Sequence, residues 1–232
     1  MTTPIKLDFV SDVSCPWCAV GLASLETALK RLEGEVEATL HFEPFELNPG
    51  MPPGGQDITE HLTQKYGSTP EQQEAARDAI RERGRAVGFE FRKEGRGRIY
   101  NTFNAHRLLH WAATQGGARQ HALKRALLGA YFTDGKSPED KDVLIGAAAT
   151  AGLDAQRARE ILDSSEYADE VREREAFFQQ QGIHAVPAVI INGRYLIQGG
   201  QPPETFEQSL RQIASESRGA VTSDDPGQAA GR

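Results

Sequence analysis

Ile5, Leu7 and Phe9 alternate with Lys6 and Asp8, a two-residue period that predicts a short strand. The period then changes. Cys18, Leu22, Leu25, Leu29 and Leu32 recur at helical spacing, with Pro16 suited to the first helical position and Gly34 beyond the end, which predicts a helix over about residues 16–33. Val36, Ala38, Leu40 and Phe42 then alternate with Glu37, Thr39, His41 and Glu43, so a second strand follows. Strand, helix and strand in this order predict a βαβ unit with parallel strands and a right-handed crossover.

The Pro- and Gly-rich stretch 48–55 breaks the pattern and opens a long helical region. Asp57 is placed to cap a short helix through Tyr66. Thr69-Pro70-Glu71-Gln72 supplies an N-cap, a proline at N1 and a capping-box glutamine for a helix ending near Gly88. Phe89-Glu90-Phe91 leads into the Arg- and Gly-rich loop 92–98, which reads as a solvated connection in preference to an anion-binding or substrate-facing loop. Helices are predicted over 102–115, 119–132, 138–151, 154–164 and 167–181, with Gly116, Gly135, Gly152 and Gly182 placed to end them. Two short β-patterns, 188–191 and 195–197, then flank Asn192-Gly193, a hairpin turn signal. A last helix starts near Pro202 with Phe206, Leu210 and Ile213 on one face. From 215 to 232 no apolar period survives, which predicts a disordered tail.

Composition narrows the function. The 232 residues are 38% hydrophobic with a net charge of -7, enough for a core and without overall attraction to nucleic acid. No polybasic run points to a membrane surface and no apolar stretch has bilayer-spanning length. The N-terminal Met1-Thr2-Thr3-Pro4 has no signal-peptide character, so the reading is a soluble, cytoplasmic protein. In a reducing compartment two cysteines are better read as catalytic than as a structural staple.

Both cysteines stand in Cys15-Pro16-Trp17-Cys18, at the junction of the first strand and helix. Cys15 falls at the helix N-terminus, where the macrodipole and free N–H groups favour a thiolate. It is the candidate nucleophile. Cys18 lies one turn in, on the buried stripe, and is the candidate resolving thiol that releases a partner from Cys15. Chance burial of two small apolar residues, or half a zinc site, are the competing readings. A structural zinc needs about four ligands, and there is no second cysteine pair.

A strand into Cys15-Pro16-Trp17-Cys18, a long helical stretch, then Ala185-Val186-Pro187 opening a hairpin resembles the DsbA-like branch of the thioredoxin superfamily, and within it the FrnE-like oxidoreductases. Further echoes are Phe45-Glu46-Leu47-Asn48-Pro49 and Asn101-Thr102-Phe103-Asn104-Ala105-His106-Arg107-Leu108. The resemblance implies an α/β, thioredoxin-like fold with a large all-helical insertion: thioredoxin-like parts over 1–52 and 166–214, the insertion over 53–165, and the tail beyond. It implies a cis Val186–Pro187 bond beside the cysteines, with the backbone of Val186 free to pair with an extended substrate. Pro187 thereby joins Cys15 and Cys18 in the catalytic set, with Pro16, Trp17 and Val186 on the substrate side. Trp17 is read either as an exposed substrate contact or as a residue packed over the insertion.

The chain departs from the pattern in two ways. It lacks the additional cysteine pair of some FrnE-like proteins, and Phe9 stands where DsbA has a buried glutamate six residues before the first active-site cysteine. Asp12 is a candidate modulator of thiol proton transfer or, alternatively, a turn residue capping the start of the helix. His106 and His110 lie four apart, but Arg107 occupies the glutamate position of the HExxH zinc pattern. They are read as partly exposed flanking residues, or as lining a cleft beside the cysteines, with His106 a second candidate modulator. No metal or other cofactor is expected, though glutathione is a candidate co-substrate. Expected partners are protein or small-molecule disulfides and dithiols. The alternatives are a glutathione-dependent isomerase or transferase of the kappa or 2-hydroxychromene-2-carboxylate type, which usually has serine at the position of Cys15, and a redox-inert holdase.

Overall fold

A computed structural model describes residues 2–223. Strand β1 (Thr3–Ser11) is central in a four-stranded sheet of order β2-β1-β5-β6, with β2 (Val36–Pro44) on one side and β5 (Ala188–Ile191) and β6 (Tyr195–Gln198) on the other. The pairing of β1 with β2 is parallel, as the βαβ pattern predicts, and its pairing with β5 is antiparallel. Alternation in β1 gives way to continuous burial from Leu7 onward because both faces of the sheet are covered. Phe9 points into one core with Leu22, Leu25 and Phe206, while Val10 points into another with Phe45, Phe178 and Ile183. Burying each such side chain contributes roughly 1.5–3 kcal/mol.

Helix α1 (Pro16–Arg31) packs against α9 (Pro203–Ser223) beneath this sheet. Between β2 and the next long helix lie β3 (Gln56–Asp57), α2 (Ile58–Tyr66), α3 (Pro70–Ala86), β4 (Arg98–Ile99), α4 (Phe103–Thr114), α5 (Gly117–Phe132), α6 (Lys141–Thr150) and α7 (Ala155–Leu162). This is the helical insertion. It has its own core, built around Leu108, Leu123, Leu127, Leu144 and Ile161. Helix α8 (Ala168–Gln180) returns the chain to the sheet and packs on β2.

Local chemistry sets the boundaries. Asp57 Oδ1 accepts from the N–H groups of Thr59 and Glu60 at 2.9 and 3.0 Å, and the capping box at Thr69 and Gln72 closes in both directions. Helix α6 begins at Lys141 and not at residue 138, because Asp140 Oδ1 takes the N–H groups of Asp142 and Val143. The hairpin turns through Asn192 and Gly193, both at positive φ (53° and 64°), and Arg194 N–H closes it on the Ile191 carbonyl at 3.0 Å.

Three features depart from the expectation. The two-residue ladder β3–β4 is too short to carry a period and pairs segments about forty residues apart. The loop 92–98 is not merely a solvated connection: Arg81 Nη1 donates to Lys93 O at 2.6 Å, Arg98 holds the carbonyls of Gly54 and Gly55, and Arg96 reaches the cysteine turn. The tail expected from 215 begins within α9, which continues to Ser223. There Glu216 accepts from Tyr195 Oη at 2.7 Å, and Arg218 donates to Thr3 Oγ1 at 2.7 Å. Polar contacts of this kind leave no apolar period to read. The rest of the expected tail, 224–232, lies outside the described residues.

Candidate active site

The turn 12–15 delivers the cysteines. Asp12, fully buried, folds back on its own turn: Oδ1 accepts from Ser14 N–H at 3.0 Å, and Oδ2 accepts from Ser14 Oγ at 2.8 Å and from Leu47 N–H at 2.8 Å. This fixes the backbone so that Cys15 becomes the N-cap of α1 with Pro16 at N1, as the sequence predicts. Asp12 caps no helix N–H itself. It organises the turn, and Nε2 of His106 stands 3.5 Å from its Oδ1. Burial by itself pushes the Asp12 carboxyl up, but His106 and the N–H groups of Leu47 and Ser14 outweigh it and hold the group at about 2.

Cys15 and Cys18 are 3.5 Å apart and unbonded. Both are buried, Cys18 completely, which agrees with its predicted inward placement. The Cys18 thiol, by donating to Cys15, holds Cys15 below the ordinary thiol value; burial and Asp12 oppose this, and the N–H groups of Cys18 and Trp17 assist it. Burial pushes Cys18 well above its ordinary value, and the bond to Cys15 adds to that. The two sulfurs therefore differ in the direction that nucleophile and resolving thiol require.

The Val186–Pro187 peptide is cis, and Cys15 Sγ lies 3.7 Å from the Val186 carbonyl oxygen. In front of the pair opens a cleft of about 350 Å³, walled by Trp17 and Val186, by Ile58 and Ile80 of the insertion, and by Phe91 and Arg96 of the loop. Trp17 is 37% exposed, so it presents its ring to the cleft and is not sealed beneath the insertion. Arg96 donates to the Ser14 carbonyl at 2.7 Å and lies over the ring of Phe132, 5.4 Å from its centroid. Nothing in the local pattern of the loop announced that reach.

His106 is 2% exposed and sits behind Asp12, away from the cleft. With His110 it borders a separate cavity of about 130 Å³ that also meets Glu43 and Arg174. The expectation of partly exposed residues is therefore corrected for His106, which α4 turns inward between Ala105 and Leu109. Among the described residues no group of three potential ligands could hold a metal ion.

Charged residues at two places were missed by sequence reading. Glu46 and Glu175 are buried together, and Arg172 bridges them while Asn101 Nδ2 donates to Glu46 at 3.3 Å, so the two echo segments around 46 and 101 meet in space. Lys124 of α5 is fully buried beside the cysteine core. Its signal was present: Gln120, Leu123, Lys124, Leu127, Leu128 and Tyr131 form one helical stripe, all of them buried.

Comparison with known proteins agrees with this fold. The chain is similar to the structure of a probable DsbA oxidoreductase, SCO1869, from Streptomyces coelicolor, at 35% identity and TM-score 0.84, over 97% of this chain and 94% of that one. It is 28% identical over 211 residues to the uncharacterized protein YwbO of Bacillus subtilis (strain 168), covering 90% of this chain and 96% of that one. The fold is shared, at 16% identity and TM-score 0.61, by the cytosolic disulfide reductase DsbM of Pseudomonas aeruginosa solved with GSH, over 90% of this chain and 99% of that one. Residues 6–211 match the DSBA-like thioredoxin domain. This chain, with its paired cysteines at the N-terminus of α1, belongs to the DSBA-like thioredoxin domain family.

Proposed function

We propose that the chain is a thiol–disulfide oxidoreductase that exchanges its Cys15–Cys18 dithiol with protein or small-molecule disulfides. The observation that carries the reading is the placement of two unbonded sulfurs 3.5 Å apart, Cys15 lining the cleft and 3.7 Å from the Val186 carbonyl oxygen, Cys18 wholly buried behind it. Cys15 thiolate attacks a substrate disulfide, and Cys18 then attacks Cys15 to release the bound half. Val186 and Pro187 form the ledge along which substrate lies, with the Pro16–Trp17 edge opposite. A cleft of this volume also suits a small thiol such as glutathione as co-substrate. No metal or cofactor enters the scheme, and we place the activity in the cytoplasm.

An intact dithiol sets this reading above the glutathione-dependent isomerase and the redox-inert holdase. Reduction of insulin disulfides by the wild type, with no activity in Cys15→Ser, is the expected result. Cys18→Ser should accumulate mixed disulfides at Cys15, which mass spectrometry detects. Turnover that survives loss of both sulfurs would overturn the proposal, as would Cys18 alkylating faster than Cys15 across pH.

A further inference from the structure

Lys124 is 0% exposed, and its Nζ is among the buried polar atoms with no hydrogen-bond partner. A buried, unpaired ammonium is expensive, whereas a neutral amine is tolerable. The site around it is built. Gln120, one turn earlier on α5, locks that helix to the sheet by bonding both the N–H and the C=O of Phe42, at 3.0 and 2.9 Å. Leu128, one turn later, packs in the same core as Cys15 and Cys18. The helix that carries the amine is thus held against the sheet and the cysteine core, and Lys124 does not line the cleft. The titratable groups that face it are Cys18 and Cys15 from α1 and Asp12 from the turn before it, with His106 of α4 behind Asp12.

We propose that Lys124 is the proton acceptor for the resolving thiol Cys18, an inference that rests on the dithiol-exchange reading above. Nζ touches neither sulfur in the dithiol form, and the flexible four-carbon stem carries it the remaining distance. In the resolving step the Cys18 S–H proton passes to the neutral amine. The Cys18 thiolate attacks Sγ of Cys15, the Cys15–Cys18 S–S bond forms, and the bond from Cys15 to the substrate sulfur breaks with its electron pair leaving on that sulfur. The dithiol is oxidised by two electrons and the substrate disulfide is reduced. The departing thiolate takes a proton from water in the cleft, and Lys124, no longer beside a thiolate, returns its own to water, so no net proton is left on the protein. Burial lowers the proton affinity of Lys124, and Cys18 raises it again, which suits a group that must both accept and release.

The test uses Lys124→Met, which keeps the length of the side chain without the amine. Release of the bound half from a preformed Cys15 mixed disulfide should slow about a hundredfold at pH 7, and the gap should close as the pH rises and Cys18 ionises unaided. Alkylation of Cys15 in a Cys18→Ser background should change far less. Equal release rates and equal pH profiles in the folded variant would overturn the inference. If Cys18→Ser traps no mixed disulfide at Cys15, the dithiol-exchange reading fails first. A second measurement needs no variant: in the wild type with labelled lysine, the Lys124 amine should keep its proton to higher pH in the dithiol than in the disulfide form. Identical titration in the two forms would overturn the inference independently of any folding defect.

Discussion

The ring of Pro187 lies directly on Gly21: a β-carbon built at residue 21 stands 3.1 Å from Pro187 Cγ and 3.4 Å from the backbone of Gly200. Helix α1 and the loops on either side of the β5–β6 hairpin therefore meet where a β-carbon would be crowded, one turn beyond the cysteines. That contact sets how far Val186 stands from Cys15.

Gly21→Ala tests it. Alanine gains about 1 kcal/mol in helix propensity, but crowding a rigid proline ring and a backbone costs about 1–3 kcal/mol. The expected outcome is a protein destabilised by about 1 kcal/mol whose turnover on protein disulfides falls several-fold, measured by urea unfolding and insulin reduction. Unchanged turnover would show that the ledge is positioned by something else.

Arg96 binds the Ser14 carbonyl and covers Phe132, so it ties the loop of the insertion to the cysteine turn. Arg96→Ala should raise KM for disulfide substrates several-fold with a stability loss of about 1 kcal/mol, the worth of one charged hydrogen bond with its exposed share discounted. Arg96→Lys should recover little, because an ammonium cannot both lie over the ring and reach the carbonyl. Steady-state kinetics of the three proteins decide the matter.

Two buried carboxylates should respond to pH with opposite sign. The folded-state value of Asp12, about 2, lies below its ordinary 3.8, so its contribution is present above pH 4 and is lost as the pH falls toward 2. Asp12→Asn should cost about 2–3 kcal/mol at pH 7, a difference that fades below pH 4. Burial holds the carboxyl of Glu175 above 4.5, so its ionisation is a cost at neutral pH that disappears as the pH falls to 4.5. Glu175→Gln should therefore be more stable than wild type at pH 7 and converge with it near pH 4.5. Denaturant midpoints across this range give both comparisons, and a Glu175→Gln deficit at pH 7 would contradict the assignment.

Gly84 of α3 is a second close approach, since a β-carbon there would fall 2.5 Å from the Phe91 ring and 2.7 Å from the Phe89 carbonyl. Gly84→Ala should destabilise by about 1–3 kcal/mol despite its better helix propensity. Circular dichroism melting checks it. The aromatic base of the Arg96 loop should loosen with it, raising KM.

The strand, the cysteine helix, the capping box at Thr69 and the hairpin at Asn192 were legible because each is fixed by residues a few positions apart. Arg96 and Ser14 are eighty-two residues apart, and only the fold makes them neighbours. His106 was misjudged because a histidine on a helix carries no mark of which face is buried, whereas Lys124 did interrupt an otherwise apolar stripe. The cis Val186–Pro187 bond came from the resemblance; local pattern gave only a strand start. The end of α9 escaped notice because hydrogen bonds to Glu216 and from Arg218, and not an apolar face, hold it.

The place of β1 at the centre of the sheet also has a consequence in time. Its parallel neighbour β2 leaves the ribosome soon after it, but β5 and the Val186 carbonyl come 171 residues after Cys15. At about 5–20 residues per second the cysteines wait on the order of 10–30 s for their ledge, and longer for α9 to cover the back of α1. A half-made chain thus carries the sulfurs without the groove that selects a partner for them.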